Sequence, residues 1–193
     1  MDKNIILAGV GGQGILSIAA IIDWAALKLG LNIKQAEVHG MSQRGGAVQS
    51  HLRISDEEIF SDLIPLKGTD LILSVEPMEA LRYLPYLKDT GRIVTSTDPF
   101  KNIPDYPELD DVITRLKQTS NPVLVDTKGI TCEIGNAKAT NIVMLGAGAE
   151  AVGIDPSVLE EGIKTMFARK GEEIIESNIK AFKKGREIWA AYN

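Results

Sequence analysis

Cysteine and histidine are almost missing from this sequence: one Cys and two His among 193 residues. A lone thiol, Cys132, excludes a disulfide framework, and it excludes a thiolate-held iron–sulfur or zinc site built within the chain. A basic excess is missing as well. The net charge is −5, so nothing displaces counterions from a nucleic-acid backbone, and a general nucleic-acid binder is excluded. No apolar run approaches the roughly 20 residues that a membrane span requires. Met1-Asp2-Lys3-Asn4 leads directly into an apolar strand. No signal peptide is expected there, and the cytoplasm is the default location.

What is present is a hydrophobic fraction of 44%, enough for a globular core. The length suits one α/β domain spanning 1–193, with 154–193 as a helical C-terminal extension. The chain is organised around its opening. Ile5-Ile6-Leu7-Ala8 has the length and branching of a strand. Gly9-Val10-Gly11-Gly12-Gln13-Gly14 follows, and then Ile15, Ile18, Ala19, Ile22, Ala25, Ala26 and Leu29 recur at helical spacing. Strand, glycine turn and helix form the context in which G-x-G-x-x-G carries meaning. Gly9 permits a tight turn, Gly11 a close backbone approach, and Gly14 close packing of helix on strand. The helix N-terminus offers unpaired N–H groups and partial positive charge, suited to a phosphate. Glycines serving chain geometry alone remain the alternative. An intact nicotinamide dinucleotide fits less well. Glu37 stands near the place of the ribose-binding acid, but it runs straight into Gly40-Met41-Ser42-Gln43-Arg44-Gly45-Gly46.

Further along, strands are expected at 33–38, 48–54, 70–75, 92–96 and 122–126, with Ile59-Phe60 pairing back on 48–54 as a short hairpin. Helices are expected from Pro77, over 109–116, from Asn136, from Pro156 capped by Asp155, and over 172–192. The fold class is therefore α/β: a Rossmann-like, mostly parallel sheet with helices on both faces, a β-hairpin insertion and a helical C-terminal region. Ligands in such sheets gather at the carboxyl ends of strands. Three segments have that address: Gly9–Gly14, His39–Gly46 and a loop at Thr127–Asn136. Phosphate or cofactor binding is assigned to Gly9, Gly11, Gly12, Gln13, Gly14, Ser42, Arg44, Gly45, Gly46 and Asn136. Arg44 offers a charged fork for a carboxylate or phosphate, or ties loop backbones together. His39 and His51 read as surface or partner-facing. Cys132 reads as an inert loop thiol. Lys138 and Asn141 follow the third segment, within reach of a ligand or on a solvated face. No catalytic residue and no metal site can be named.

Three motifs in this order resemble one family. Gly9-Val10-Gly11-Gly12-Gln13-Gly14, Gly40-Met41-Ser42-Gln43-Arg44-Gly45-Gly46 and Asn141-Ile142-Val143-Met144-Leu145-Gly146 resemble the gamma-type subunit of 2-oxoacid:ferredoxin oxidoreductases. Ser42-Gln43 before Arg44 favours the indolepyruvate branch. The resemblance implies oxidative decarboxylation of a 2-oxoacid to an acyl-CoA, with electrons passed to ferredoxin. It implies thiamine diphosphate, an iron–sulfur cluster and coenzyme A in the assembled enzyme, none held by this chain alone. It also implies a larger thiamine- and cluster-bearing partner subunit and contact with ferredoxin through the complex, and a homodimer of the isolated chain is allowed. Two other classes stay open: a stand-alone nucleotide-binding oxidoreductase, and a non-catalytic scaffold.

Overall fold

Nine residues at the start, Asp2–Val10, form the strand β1, and its inner residues Ile5 to Ala8 are wholly buried. Apolar side chains on both faces are what a strand covered on both sides requires. The computed structural model describes residues 1–39, 45–101 and 103–192, with His39 described by its backbone only. After β1 come α1 (Ile15–Lys28), β2 (Asn32–His39), β3 (Ala47–Ser55), β4 (Thr69–Ser74) and α2 (Pro77–Arg82). β5 (Leu87–Ser96), α3 (Leu109–Lys117), β6 (Pro122–Val125), α4 (Thr127–Glu133) and α5 (Thr140–Val152) follow, then α6 (Pro156–Phe167) and α7 (Glu172–Tyr192).

The six strands form one sheet in the order β2-β3-β1-β4-β5-β6. β1, β4, β5 and β6 pair in parallel, while β3 runs antiparallel to both β1 and β2. The carboxyl ends of β1, β2, β4, β5 and β6 therefore share one edge of the sheet. Helices cover both faces. α1 and α5 pack on Ile5, Leu7, Leu71 and Leu73, and α2 and α3 pack on Ile6, Ala8, Ile72 and Ile93. α5 is buried on nearly every side, because α7 crosses its outer surface. Two glycines allow that crossing: a Cβ on Gly146 would overlap the carbonyl of Phe182, and one on Gly185 would overlap the carbonyl of Val143.

Several expectations change in the folded chain. A hairpin is present, but β2 and β3 build it, paired antiparallel from Asn32 opposite Ser55 to His39 opposite Val48. Residues 59–60 form no strand, because both edges of β3 are already paired, to β1 and to β2. His51 is not solvent- or partner-facing. It is 4% exposed, and its Nδ1 accepts the Ile64 N–H at 3.0 Å while its ring meets Tyr86 edge-on. Burial lowers its pKa, which suits a neutral ring acting as acceptor. The segment Thr127–Asn136 is mostly helix. The Asp126 side chain caps α4 by accepting the Gly129 N–H at 2.8 Å. Asn136 does not begin a helix; it sits in the turn before α5. Cys132 lies on α4, exposed.

Candidate functional site: the glycine turn and the cleft beside it

Gly9 stands where no side chain fits. A Cβ there would press on Val75, Ile15 and Gln13. Gln13 is the brace of the turn: its Oε1 accepts the Val10 N–H at 2.7 Å and its Nε2 donates to the Val75 carbonyl at 3.4 Å. Gly12 and Gly14 adopt the left-handed backbone, at φ +102° and +79°, which a side chain would strain. Gly14 ends the turn as the N-cap of α1, and no side chain caps that helix. The Ser17 N–H donates to the Gly14 carbonyl at 3.1 Å, and the N–H groups of Ile15 and Leu16 before it have no acceptor within the helix.

The second glycine segment lies against the first. The Gly11 N–H donates to the Gly46 carbonyl at 2.8 Å, and the Gly45 N–H donates to the Gly11 carbonyl at 3.4 Å. Gly9, Gly11, Gly12, Gln13, Gly14, Gly45 and Gly46 thus gather at the carboxyl end of β1. Ser42 and Arg44 lie outside the described residues. Glu37 does not join the group. β3 is inserted between β1 and β2, so Glu37 is two strand spacings from β1, roughly 10 Å away.

Beside the turn opens a cleft of about 390 Å³. Gly12, Gly14 and Ser17 form one wall. Asn136, Lys138 and Asn141 form the second, and Phe167, Lys170, Ile174 and Asn178 the third. Asn136 is near the glycine turn, as a ligand residue would be, yet its side chain is engaged. Its Nδ2 donates to Ser177 Oγ at 2.8 Å and its Oδ1 accepts the Lys138 N–H at 3.1 Å. Asn141 reaches the turn itself, donating to the Gly14 carbonyl at 3.1 Å. The wall from the C-terminal helices was not anticipated in the sequence. No local pattern marks Lys170 or Asn178 as neighbours of a turn more than 150 positions upstream.

A second polar group occupies the same sheet edge at the ends of β4, β5 and β6. Glu76 is wholly buried and accepts the Glu79 N–H at 2.8 Å, the Phe100 N–H at 3.3 Å and the Tyr106 hydroxyl. Burial raises its carboxyl pKa, and these donors oppose that shift. Asp98 accepts the Thr127 hydroxyl at 2.6 Å and the Lys128 N–H at 2.7 Å. Both carboxylates are occupied by protein donors, and their work is to fasten the 97–108 segment and the start of α4. The sequence signal was present in Ser74-x-Glu76 and Ser96-x-Asp98, small polar residues closing apolar strands. Among the described residues no group of three or more His, Cys, Asp or Glu could hold a metal ion, and no helix is long and apolar enough to cross a membrane.

Comparison with known proteins bears on this geometry. The family model for pyruvate ferredoxin/flavodoxin oxidoreductase matches residues 4–188. The indolepyruvate oxidoreductase subunit IorB of Pyrococcus horikoshii is 36% identical over 194 residues, covering 95% of this chain and 94% of that protein. The gamma subunit of a keto/oxoacid ferredoxin oxidoreductase from Geobacter sulfurreducens superposes with a TM-score of 0.73 at 25% identity, covering 98% of this chain and 99% of that one. The 2-oxoglutarate:ferredoxin oxidoreductase of Magnetococcus marinus, solved with 2-oxoglutarate, coenzyme A and succinyl-CoA bound, gives a TM-score of 0.78 at 22% identity. That match covers 98% of this chain but 31% of the longer one, and at such identity it compares folds alone.

Proposed function

The chain belongs to the pyruvate ferredoxin/flavodoxin oxidoreductase family, and on that premise we propose that it is one subunit of a 2-oxoacid:ferredoxin oxidoreductase acting on indolepyruvate or a related aryl pyruvate. The observation that carries this reading is the end-to-end likeness to the indolepyruvate oxidoreductase subunit, with nearly the whole of both chains aligned. The assembled enzyme decarboxylates the 2-oxoacid, transfers its acyl group to coenzyme A and passes the electrons to ferredoxin. The iron–sulfur cluster belongs to a larger partner subunit, since Cys132 by itself offers no ligand set. Thiamine diphosphate, also bound mainly by the partner, supplies the carbanion chemistry.

This chain's part is to bind and orient. Gly12, Gly14 and the open N-terminus of α1 form an anion site that Gly9 and Gln13 hold in shape. Gly45 and Gly46 are held to Gly11 by backbone hydrogen bonds, and Ser42 and Arg44, which precede them in the sequence, are assigned to the same anion, with Arg44 as the charged fork. The chemistry fits a phosphate of coenzyme A or of a neighbouring thiamine diphosphate. Asn136 braces the far wall. Phe60, Leu63 and Leu66 are exposed and give a partner subunit apolar surface to cover, which in the isolated chain favours a homodimer. The protein works in the cytoplasm.

Purification from the native source tests the reading. A larger thiamine- and cluster-bearing chain should accompany this one, and the complex should reduce ferredoxin with aryl pyruvates and coenzyme A. A chain that purifies alone, or a complex inactive on every 2-oxoacid, overturns it. Within the active complex, Arg44→Ala should weaken binding of the phosphate-bearing ligand ten- to a hundredfold, the loss of about one charge-assisted hydrogen bond worth roughly 1.5–3 kcal/mol.

A further inference from the structure

The two outer strands of the sheet are finished in opposite ways. β6 is four residues long and opens on Pro122. Its Val125 carbonyl accepts the Thr97 N–H at 2.9 Å, on the β5 side. Carbonyls alternate in direction along a strand, so the Leu124 carbonyl points to the free side. There the Tyr192 hydroxyl donates to it at 3.2 Å, and the end of α7 thereby occupies this edge. β2 has none of these devices. It is eight residues long, Asn32–His39, holds no proline or glycine, and pairs with β3 without a bulge. It ends the sheet, so the N–H and C=O groups that it turns away from β3 meet no further strand. Natural sheets ordinarily shorten, bulge or cover such an edge.

The charges on β2 select what can cover it. A second β2 can meet the first antiparallel, across a two-fold axis perpendicular to the sheet. That arrangement opposes residues of one face, so each residue meets itself or one an even number of positions away. Centred on Lys34 or on Glu37, the pair sets like charges face to face, which destabilises it. Centred on Gln35, it opposes Lys34 to Ala36 and Ile33 to Glu37. Centred on Ala36, it opposes Gln35 to Glu37 and Lys34 to Val38, whose methyl groups lie against the lysine stem. Two adjacent registers thus keep like charges from facing each other, and both place the uncharged middle of the strand on the axis. Apolar surface continues beside the strand. Lys34 and Ala36 stand opposite Arg53 and His51 on β3. On that face Arg53 donates to the Ser61 carbonyl at 2.9 Å and the His51 ring accepts the Ile64 N–H, so the 61–64 segment lies along β3, next to β2. Val38 is 53% exposed and Leu63 56%.

We infer that two copies of this chain join through β2, antiparallel and centred on Gln35 or Ala36, into one continuous sheet. The backbone groups of each edge satisfy those of the other, and Val38 and Leu63 of both copies are drawn toward the joint. The inference names the surface through which the homodimer forms. It stands apart from the oxidoreductase reading, since neither the glycine turn nor its cleft takes part.

Sedimentation of the full chain over a concentration series tests this. The chain should form a dimer, and amide exchange along 32–38 should slow as the concentration rises. Ala36→Lys sets an ammonium group against its own copy in one register and against Lys34 of the second copy in the other, and it should weaken the dimer about tenfold. With Cys132→Ser as the background, Gln35→Cys or Ala36→Cys should oxidise to a disulfide-linked dimer, because each residue faces itself across the axis in one register. A melting curve checks that Ala36→Lys is folded, and if it is not, the cysteine variants decide. A monomer at submillimolar concentration overturns the inference. So does a dimer that neither cysteine variant links, or one that a folded Ala36→Lys leaves unchanged, since the joint then lies elsewhere. If a larger subunit from the native source protects 32–38 and concentration does not, that subunit covers the edge and the inference falls.

Discussion

The Asn141 side-chain amide donates to the carbonyl of Gly14 at 3.1 Å, tying the first turn of α5 to the residue that caps α1. The two residues stand 127 positions apart. The bond explains the restriction at Gly14 better than backbone conformation alone does. A Cβ at Gly14 would lie 2.7 Å from Asn141 Nδ2, so the residue is confined both by its positive φ and by its neighbour.

Removing that amide should therefore loosen the turn without unfolding the protein. Asn141→Ala is expected to cost about 1 kcal/mol, because the Gly14 carbonyl still accepts from the Ser17 and Ile18 N–H groups. Urea denaturation measures the loss. Amide exchange should quicken at Gly12 to Leu16 and hardly elsewhere.

The α5–α7 crossing makes a sharper prediction. Gly146→Ala places a methyl against the Phe182 backbone carbonyl, which moves only if the two helices separate. The expected loss is about 3 kcal/mol or more. Gly148→Ala, two positions further along α5, meets only side-chain tips, Leu73 at 3.1 Å and Leu71 at 3.8 Å. It should change stability by less than about 1 kcal/mol, since the gain in helix propensity offsets the crowding. Equal melting points for the two variants would show that the crossing is not tight.

Asp23 supplies a pH dependence. Burial pushes its carboxyl up from 3.8 to about 6, and its Oδ1 is buried without a partner among the described residues. A carboxyl whose pKa is higher in the folded chain stabilises that chain while protonated. The contribution is complete below 3.8 and is lost as the pH rises through about 6. Asp23→Asn should accordingly raise stability at pH 8 by about 1 kcal/mol, discounted for partial exposure of the group, and leave it nearly unchanged at pH 3.5. Paired denaturation curves at the two pH values check the sign, because the other titrating groups cancel between the proteins.

Tyr106 tests the fastening of the 97–108 segment. Its hydroxyl donates to Glu76, and burial together with that carboxylate raises the phenol pKa. Tyr106→Phe leaves Glu76 with two backbone donors and should cost about 2 kcal/mol. The Phe100 N–H, which shares the Glu76 oxygen, should exchange faster. Unchanged protection at Phe100 would mean that the segment is held by other contacts.

Local chemistry was enough to read much of this chain. The branched run Ile5 to Ala8, the glycines of 9–14 and the periodic apolar residues of α1 announce strand, turn and helix in sequence, because each signal lies within one helical turn or a few strand residues of the next. Asp155 before Pro156 and the acidic start of α7 mark helix ends for the same reason. The tertiary structure alone decided where β3 goes. Its period-2 pattern is the same whether it pairs with 59–60 or slips between β1 and β2, and only the finished sheet offers the second arrangement two partner edges. It also decided that Glu37 stands away from the glycine turn, that His51 turns inward under Ile64, and that Thr127–Glu133 coils into a helix on its Asp126 cap. The cleft is the clearest case. Its walls come from residues 12–17, 136–141 and 167–178, and they meet because α7 crosses α5 at Gly146 and Gly185. Burial of apolar surface drives that meeting. It has no preferred direction along the chain, so no local pattern could record it.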